Sequence, residues 1–454
     1  VLPLELAQSL GALLGDELPA LEQALTVPSP ISIRLNPAKP SSANGDAVPW
    51  CTSGRYLSER PSFTFDPLFH AGAYYVQEAS SMFLEQALHA AGLLDRDLLA
   101  LDLCAAPGGK TTHLRSLLSP GSLLVANEVD GTRRHALAEN IWKWGMGNVM
   151  ITGSDPSDLK KLPDHFDVIL VDAPCSGEGM FRKDPFARAQ WSPGSVQRCA
   201  LTQRRIIEQA WEALAPGGVL IYSTCTWETS ENEDQLQAIM ERGGDPVTVA
   251  IDPAWGITCT ERGMVTGYRC YPHRTRGEGF FLGMVRKPGA LHERPALRND
   301  RPAERIAWLC DPESHVLKEH QGILYARDGR WQSELEELSS ALRVVAPGTP
   351  FAERKGKEWT PHPAAALSLW LDRTAFPELD LDEAAAISYL QGHTVPASAA
   401  RGTALVSYGG HPLGWVQGAG SRWNNRWPQA WRIRAQQPGA ARVSWAGPSQ
   451  GTAR

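Results

Sequence analysis

Leu98-Leu-Ala-Leu-Asp102-Leu-Cys104-Ala-Ala-Pro-Gly-Gly-Lys110-Thr-Thr112 is an apolar run that stops in a turn of small residues. The run Leu98–Leu103 predicts a buried strand, and 109–118 predicts the helix that follows it. A glycine-rich turn between a first strand and a helix start presents free N–H groups to a ligand. Small side chains at 105, 106, 108 and 109 let that ligand approach the backbone. A phosphate loop needs G-x-x-x-x-G-K-[ST]; Gly109-Lys110-Thr111 supplies its end, but Cys104 stands where the first glycine belongs. The dinucleotide pattern G-x-G-x-x-G is absent. What remains is a nucleoside ligand with no pyrophosphate, of which S-adenosyl-L-methionine is the common one on such a fold.

The pattern around this stretch is regular. Strand candidates Ser122–Ala126, Val149–Thr152, Val168–Val171, Val219–Tyr222 and Phe280–Val285 alternate with helix candidates at 131–144, 195–214 and 228–241. Apolar strands alternating with helices imply a parallel α/β sheet covered on both faces. An acidic residue closing the second strand would grip ribose hydroxyls. Glu128 stands there, 26 residues past Asp102; an exposed loop carboxylate is the competing reading. Asp155, after the third strand, could reach an adenine edge.

The fourth strand ends in Val171-Asp172-Ala-Pro-Cys175-Ser-Gly and the fifth in Tyr222-Ser-Thr-Cys225-Thr. Free cysteine is usually buried and inert. Two cysteines and an aspartate at the ligand edge of one sheet suggest chemistry instead. Pyrimidine C5 is a poor nucleophile until a thiolate adds at C6; a thiol both attacks and leaves well.

The rest of the 454 residues sets the frame. Composition is that of a globular chain, with no apolar run long enough to span a bilayer. Eight cysteines with no C-x-x-C pair argue for reduced thiols and against a structural zinc, so no metal is expected. No leader pattern opens the sequence as given, so a cytoplasmic location is expected. Leucines at 6, 10, 13, 14, 18, 21 and 25 predict amphipathic helix broken near Gly15 and Pro19. Ile31–Asn36 reads as a strand, 38–68 as loops, and Gln77–Ala91 as one long helix. Residues 288–310 resemble a linker, with a helix candidate at 331–342. From 381 an acidic helix start precedes short strands at 403–408 and 413–417.

Net charge is −6, which alone argues against nucleic acid. Its distribution reverses the argument. Residues 401–454 carry seven arginines and no acid, with Trp415, Trp423, Trp427, Trp431 and Trp445 among them. A second basic cluster spans 182–205. Both suit phosphate contact and base stacking; arginine stems packed on tryptophan in a solvated face are the alternative.

Taken together, these motifs resemble the RNA (cytosine-5) methyltransferases of the Fmu/Sun type, in the bacterial 16S ribosomal RNA branch (RsmF-like). The resemblance rests on Ser32–Asn36, Gly72–Ser81, Asp102–Thr112, Asn127-Glu128, Val171–Gly177, Ser223–Thr226 with Glu231-Asn-Glu233, and Gly277–Phe281. A looser match at 402–428 is similar to the family's PUA-type end. The resemblance implies a Rossmann-like class I methyltransferase sheet with a small N-terminal domain and a β-rich, PUA-like C-terminal region. The expected division is 1–62, 63–288 (methyltransferase), 289–375 (linker and middle), 376–446 (PUA-like) and a flexible tail, 447–454. It implies Cys225 as nucleophile, Cys175 in release of the product, Asp172 beside base and cofactor, and Lys110 ordering the network. Cys104, Ala105, Ala106, Pro107, Gly108, Gly109 and Lys110 would hold S-adenosyl-L-methionine, with Asp172, with Glu128 on the ribose and with Asp155 near the adenine. The implied partner is ribosomal RNA of the small subunit, met by a monomer. Two other readings stand beside it: a non-catalytic RNA-binding assembly factor, and an enzyme acting on transfer RNA.

Overall fold

In a computed structural model of the chain, residues 2–291, 306–356, 358–435 and 442–445 are described. Most of the expected linker and the whole expected tail, 447–454, lie outside the described residues. Helices α1 (Leu4–Leu14) and α2 (Leu18–Ala24) are separated by a turn at Gly15–Glu17. Their buried Leu6, Leu10, Leu14 and Leu21 do not form a core alone. They pack on Phe181, Trp191, Val196, Trp227 and Tyr271, which flank the cysteine-bearing loops.

Strands β1 (Ile31–Leu35), β2 (Asp46–Val48), β3 (Cys51–Leu57) and β4 (Tyr74–Tyr75) form an antiparallel sheet ordered β2-β3-β1-β4. This corrects the expectation of loops over 38–68. The segment Cys51-Thr-Ser-Gly-Arg-Tyr-Leu57 has weak apolar alternation, and its strand is made by pairing with β1, Ile31 opposite Leu57. After α3 (Pro67–His70), the long helix expected from Gln77 begins later. A 3-10 turn at Ser80–Phe83 leads into α4 (Leu84–Ala91). The Glu78 carboxylate accepts from the Ser80 and Ser81 N–H groups at 2.9 and 3.0 Å, capping the start.

The central sheet follows: β5 (Leu99–Asp102), α5 (Gly109–Leu117), β6 (Leu123–Asn127), α6 (Gly131–Trp144), β7 (Val149–Thr152), β8 (Phe166–Asp172), α7 (Pro185–Gln190), α8 (Pro193–Ala213), β9 (Leu214–Thr224), α9 (Glu233–Met240), β10 (Asp245–Pro246), β11 (Thr258–Arg262), β12 (Val265–Cys270) and β13 (Phe280–Arg286). Its order is β11-β12-β13-β9-β8-β5-β6-β7, with β5 to β9 parallel and β13 antiparallel to β9. The chain winds outward from β5 to β7, then returns to place β8 on the other side of β5. That reversal opens a crevice at the carboxyl ends of β5 and β8.

The stretch after 306 builds β14 (His315–His320), β15 (Ile323–Asp328), α10 (Gln332–Ala341), β16 (Val344–Ala346), β17 (Thr349–Lys355) and β18 (Glu358–Pro361). β14, β15, β17 and β18 form their own antiparallel sheet, while β16 pairs with β7 as the last strand of the central one. Trp331, Leu335, Leu338 and Leu342 join the central core. Beyond α11 (Pro363–Leu367) lie β19 (Glu378–Asp380), α12 (Glu383–Leu390), β20 (Val395–Ala400), β21 (Thr403–Tyr408), β22 (His411–Gly418) and β23 (Gly420–Asn425). These strands make the C-terminal sheet, ordered β19-β21-β22-β23-β20.

Candidate active site

Asp102 ends β5 fully buried; its Oδ2 accepts from Thr111 Oγ1 at 2.7 Å and its Oδ1 has no partner. Burial pushes its carboxyl up to about 7. The loop that follows is tied down through its backbone. Ala105 N donates to Asn127 O at 2.9 Å, Ala106 O accepts from Arg133 Nη2 at 2.8 Å, and Pro107 O accepts from Asn140 Nδ2 at 2.8 Å. Gly108 turns the chain at φ +110°, and a Cβ at Gly109 would sit 3.2 Å from the Tyr75 ring. The glycines therefore serve close packing on the protein's own side chains.

The parallel register of β8 and β9 sets Asp172 opposite Ser223. Ser223 Oγ donates to Asp172 Oδ1 at 2.8 Å, and Lys110 Nζ lies 2.9 Å from Asp172 Oδ2. That carboxylate raises the Lys110 ammonium against the opposing effect of burial. The same register brings the two strand-end cysteines together: Cys175 Sγ and Cys225 Sγ are 3.1 Å apart, and Cys225 N donates to Cys175 Sγ at 3.3 Å. The contact with Cys225 and burial push the Cys175 thiol well up.

A cavity of about 790 Å³ opens over these groups. Cys104, Glu128, Asp155, Asp172, Cys175 and Cys225 line it together. Lys110 reaches it through Asp172, while residues 105–109 stand behind Cys104 and are not in its lining. Glu128 is buried at the end of β6; its Oε2 makes no hydrogen bond and meets only Arg133 Nη1, at 3.4 Å. Asp155 caps the turn after β7, accepting from Ser157 N and Oγ, and those bonds hold its carboxyl below the usual range. Asn127 Nδ2 donates to Leu103 O and Ser154 O at 3.2 and 3.1 Å, fastening the ends of β5 and the segment after β7 to β6. A cavity of this volume with an acceptor lacking a hydrogen bond on its wall suits a ribose-bearing ligand.

Sequence searches place this geometry. A family model of 16S rRNA methyltransferase RsmB/F matches residues 93–286. One of the N-terminal domain of 16S rRNA methyltransferase RsmF matches 2–79, and one of the methyltransferase RsmF PUA domain matches 376–433. Ribosomal RNA small subunit methyltransferase F of Aeromonas salmonicida is 35% identical over 412 residues, covering 85% of this chain and 84% of its own. The chain belongs to the ribosomal RNA small subunit methyltransferase F family. The Shewanella loihica member is 34% identical over 409 residues, covering 85% of this chain and 83% of its own. Among solved structures, a methyltransferase homolog protein from Pyrococcus horikoshii is 29% identical, with TM-score 0.53, over 62% of this chain and 93% of that one. The Rossmann-like sheet, the N-terminal domain and the PUA domain of the family are therefore all present.

Arg133, Gln203 and Glu178 carried no signal in sequence beyond their type, whereas Glu231 stood in the Glu231-Asn-Glu233 motif without an assigned role. Arg133 bridges Ala106 O and Glu128 across the cavity rim. Gln203, Glu178 and Glu231 are fully buried beneath the Cys175 loop. Glu231 and Gln203 come from segments 28 residues apart and meet at 2.7 Å.

The basic clusters need correction. Arg182 is buried on Glu278 at 3.0 Å, and Arg204 donates to Gln235 Oε1 and Asp234 O. Both are structural, whereas Arg198 and Arg205 are exposed and Arg205 lines the cavity. Trp415 and Trp427 are core residues, and Trp445 packs on Tyr74 of the N-terminal sheet. For these rings the packing alternative holds. Arg426 and Arg442 pair with Glu353 and Glu383, leaving Arg401, Arg422 and Arg434 exposed in the C-terminal region. Arg454 lies outside the described residues.

A second grouping, Cys51, Glu85 and His113, is buried away from the cavity with its ligand atoms within 4.8 Å of one another. His113 Nε2 lies 3.4 Å from Glu85 Oε2, whose other oxygen accepts from Thr52 N. His113 Nδ1 has no partner to orient the ring toward a metal. The grouping is a buried hydrogen-bonded chain. No helix among the described residues is long and apolar enough to cross a membrane.

Proposed function

We propose that the chain transfers a methyl group from S-adenosyl-L-methionine to C5 of a cytosine in ribosomal RNA of the small subunit (16S), through a covalent bond between Cys225 and C6. The observation that carries the reading is the 3.1 Å thiol pair at the cavity wall beside the Asp172–Lys110 pair.

Glu128, with an oxygen that makes no hydrogen bond, suits the ribose hydroxyls. Cys104 and the backbone behind it bound the cofactor side, with Asp155 at its far end. When bound, S-adenosyl-L-methionine supplies an electrophilic methyl group on a sulfonium. A flipped-out cytosine enters between that methyl and the thiols. The Cys225 thiolate adds to C6, and the C5=C6 electron pair moves to C5, which bonds the methyl as the S–CH3 bond breaks and its electron pair stays on the donor sulfur, leaving a neutral thioether. Asp172, oriented by Ser223 and Lys110, accepts a hydrogen bond from the exocyclic amino group beside N3 of the ring. Loss of the C5 proton restores the double bond, the C6–S bond breaks, and its electron pair returns to Cys225. Cys175, still protonated, donates its S–H to the departing sulfur.

Arg205, and Arg198 beyond it, hold the flanking strand, while exposed arginines of the PUA domain hold a second part of the RNA. Two weak contacts on one chain raise the effective concentration at the site. Functionally we divide the chain into 1–62, 63–288, 289–375 and 376–446, and place it in the cytoplasm as a monomer acting on the small subunit. Bisulfite sequencing of ribosomal RNA from cells with and without the gene tests this, together with labelled methyl transfer to subunits and transcripts. A methyl mark lost from 16S RNA supports the proposal. Transfer to transfer RNA alone, or binding without transfer to any RNA, overturns it.

A further inference from the structure

Two buried carboxylic acids, unused in the steps above, hold the loop that carries Cys175. Ser176, the next residue, has one hydroxyl proton. Its Oγ lies 2.7 Å from Glu178 Oε1 and is also in hydrogen-bond contact with Glu231 Oε1. One proton cannot fill both contacts. An oxygen–oxygen approach of hydrogen-bond length with no hydrogen in it is repulsive between an anion and a lone pair, so a second proton has to sit on one of the acids.

The remaining contacts say which one. Glu178 Oε1 also accepts from Trp191 Nε1–H, so this oxygen already faces two donors and has no room for a proton of its own. Glu231 Oε2 accepts from Ser176 N at 3.0 Å and from Gln203 Nε2 at 2.7 Å, which leaves Oε1 as the oxygen facing Ser176. Both acids are fully buried, and among the described residues neither has a lysine or arginine within ion-pair distance. The titratable groups that face them are Cys175 on the loop, Tyr222 on β9, Glu228 beyond Cys225, and Cys199 on α8, none of them a cation.

We propose that Glu231 is a neutral carboxylic acid in the resting protein, donating its proton to Ser176 Oγ while Ser176 donates to Glu178, and that this chain positions Cys175 for the release step. The proposal rests on the cytosine-C5 reading above. Glu231 touches neither substrate nor cofactor and is a positioning residue. It couples the two cysteine-bearing loops directly, because it follows Cys225 by six residues while its side chain grips the residue after Cys175. Gln203 Nε2 adds a bond to Pro174 O at 2.9 Å, so the loop is held on both sides of Cys175. Burial pushes the Glu231 carboxyl up to about 7 and the Glu178 carboxyl upward as well. For an acid raised in this way the protonated clamp is present below about 7 and is lost as pH rises through that value.

The test compares Glu231→Gln with Glu231→Ala in the full-length chain on a cytosine-containing ribosomal RNA transcript. Glutamine keeps the shape and presents a permanent N–H to Ser176. The expected result is turnover within about threefold of wild type for Glu231→Gln, without the decline in release rate that wild type shows from pH 6.5 to 8.5. Glu231→Ala is expected to slow release about tenfold or more and to accumulate the denaturant-stable RNA adduct, while single-turnover methyl transfer is kept. If Glu231→Gln is as impaired as Glu231→Ala, or wild-type release does not change across this pH range, the proposal is overturned. Infrared spectra give a readout independent of activity: at pH 6 the wild-type-minus-Glu231→Gln difference spectrum carries the carbonyl band of one protonated carboxylic acid, while the bands of Asp102 and the other raised acids, common to both proteins, cancel. A wild-type protein with that band but with no adduct and no methyl transfer would refute the cytosine-C5 reading and leave the proton on Glu231 standing. Absence of the band would remove the proton itself.

Discussion

Replacing Cys175 by alanine removes one sulfur and one proton from beside Cys225. The Cys175 thiol is half-buried, sits 3.1 Å from Cys225 Sγ, and accepts from Cys225 N, within reach to donate its S–H to the Cys225 sulfur. Its thiol is pushed well above the ordinary range, so it keeps its proton while Cys225 reacts. In the proposed reaction the step that frees the RNA turns Cys225 into a leaving thiolate, and a hydrogen bond to an ionised group contributes about 1.5–3 kcal/mol. Losing it should slow the cleavage of the C6–S bond by about 10- to 150-fold. Attack on C6 uses Cys225 alone and should proceed. The assay mixes enzyme, methyl donor and end-labelled RNA, quenches in denaturant over a time course, and resolves protein-bound from free RNA on a gel. Cys175→Ala should show a band of crosslinked RNA that decays about 10- to 150-fold more slowly than in wild type. Cys225→Ala should show no such band. A Cys175→Ala enzyme that releases RNA at the wild-type rate would refute the assignment of the S–H to the leaving sulfur.

Three further outcomes follow from the same structure. Arg205→Ala should weaken RNA binding and lower the log–log salt slope by ~0.7–0.9, whereas Arg182→Ala, which loses a buried partner of Glu278, should reduce stability to urea instead; equal salt slopes would remove Arg205 from the RNA path. Arg401→Ala with Arg422→Ala should weaken binding with no change in single-turnover rate at saturating RNA, measured by filter binding and labelled methyl transfer, and unchanged affinity would count against that face of the PUA domain. Asp102 is raised from 3.8 to about 7 by burial, so below ~4 it is neutral in both folded and unfolded chains, and above that the unfolded chain ionises first. Its contribution to stability therefore falls as pH rises and levels off above about 7; Asp102→Asn should gain on wild type in urea unfolding between pH 5 and 7.5, and a constant difference would sink this account.

Reading ahead of the structure succeeded where chemistry and periodicity coincide. The β–α alternation from Leu98 to Val285 is strongly apolar, and each candidate strand there corresponds to a strand of the central sheet. The strand-end positions of Asp172, Cys175 and Cys225 followed from the same pattern. It failed where a segment owes its form to a partner. β3 is a strand because β1 is beside it, and α4 starts only at Leu84, after a 3-10 turn whose first N–H groups are held by the Glu78 carboxylate. Composition misled at the C-terminus, where tryptophan beside arginine gave the look of a stacking platform. Whether a ring is a platform or a core residue depends on what covers it, and Trp415 and Trp427 are covered.

By itself the sequence determined the α/β alternation, the small-residue loop after the first strand, and which thiols stand at strand ends, because each is set by neighbours a few residues away. Only the tertiary structure decided the 3.1 Å between Cys175 and Cys225, the arginines left facing solvent, and the contact between Glu231 and Ser176. Those are distances and dielectric environments created when segments about 50 residues apart share one sheet edge, and local patterns do not encode them.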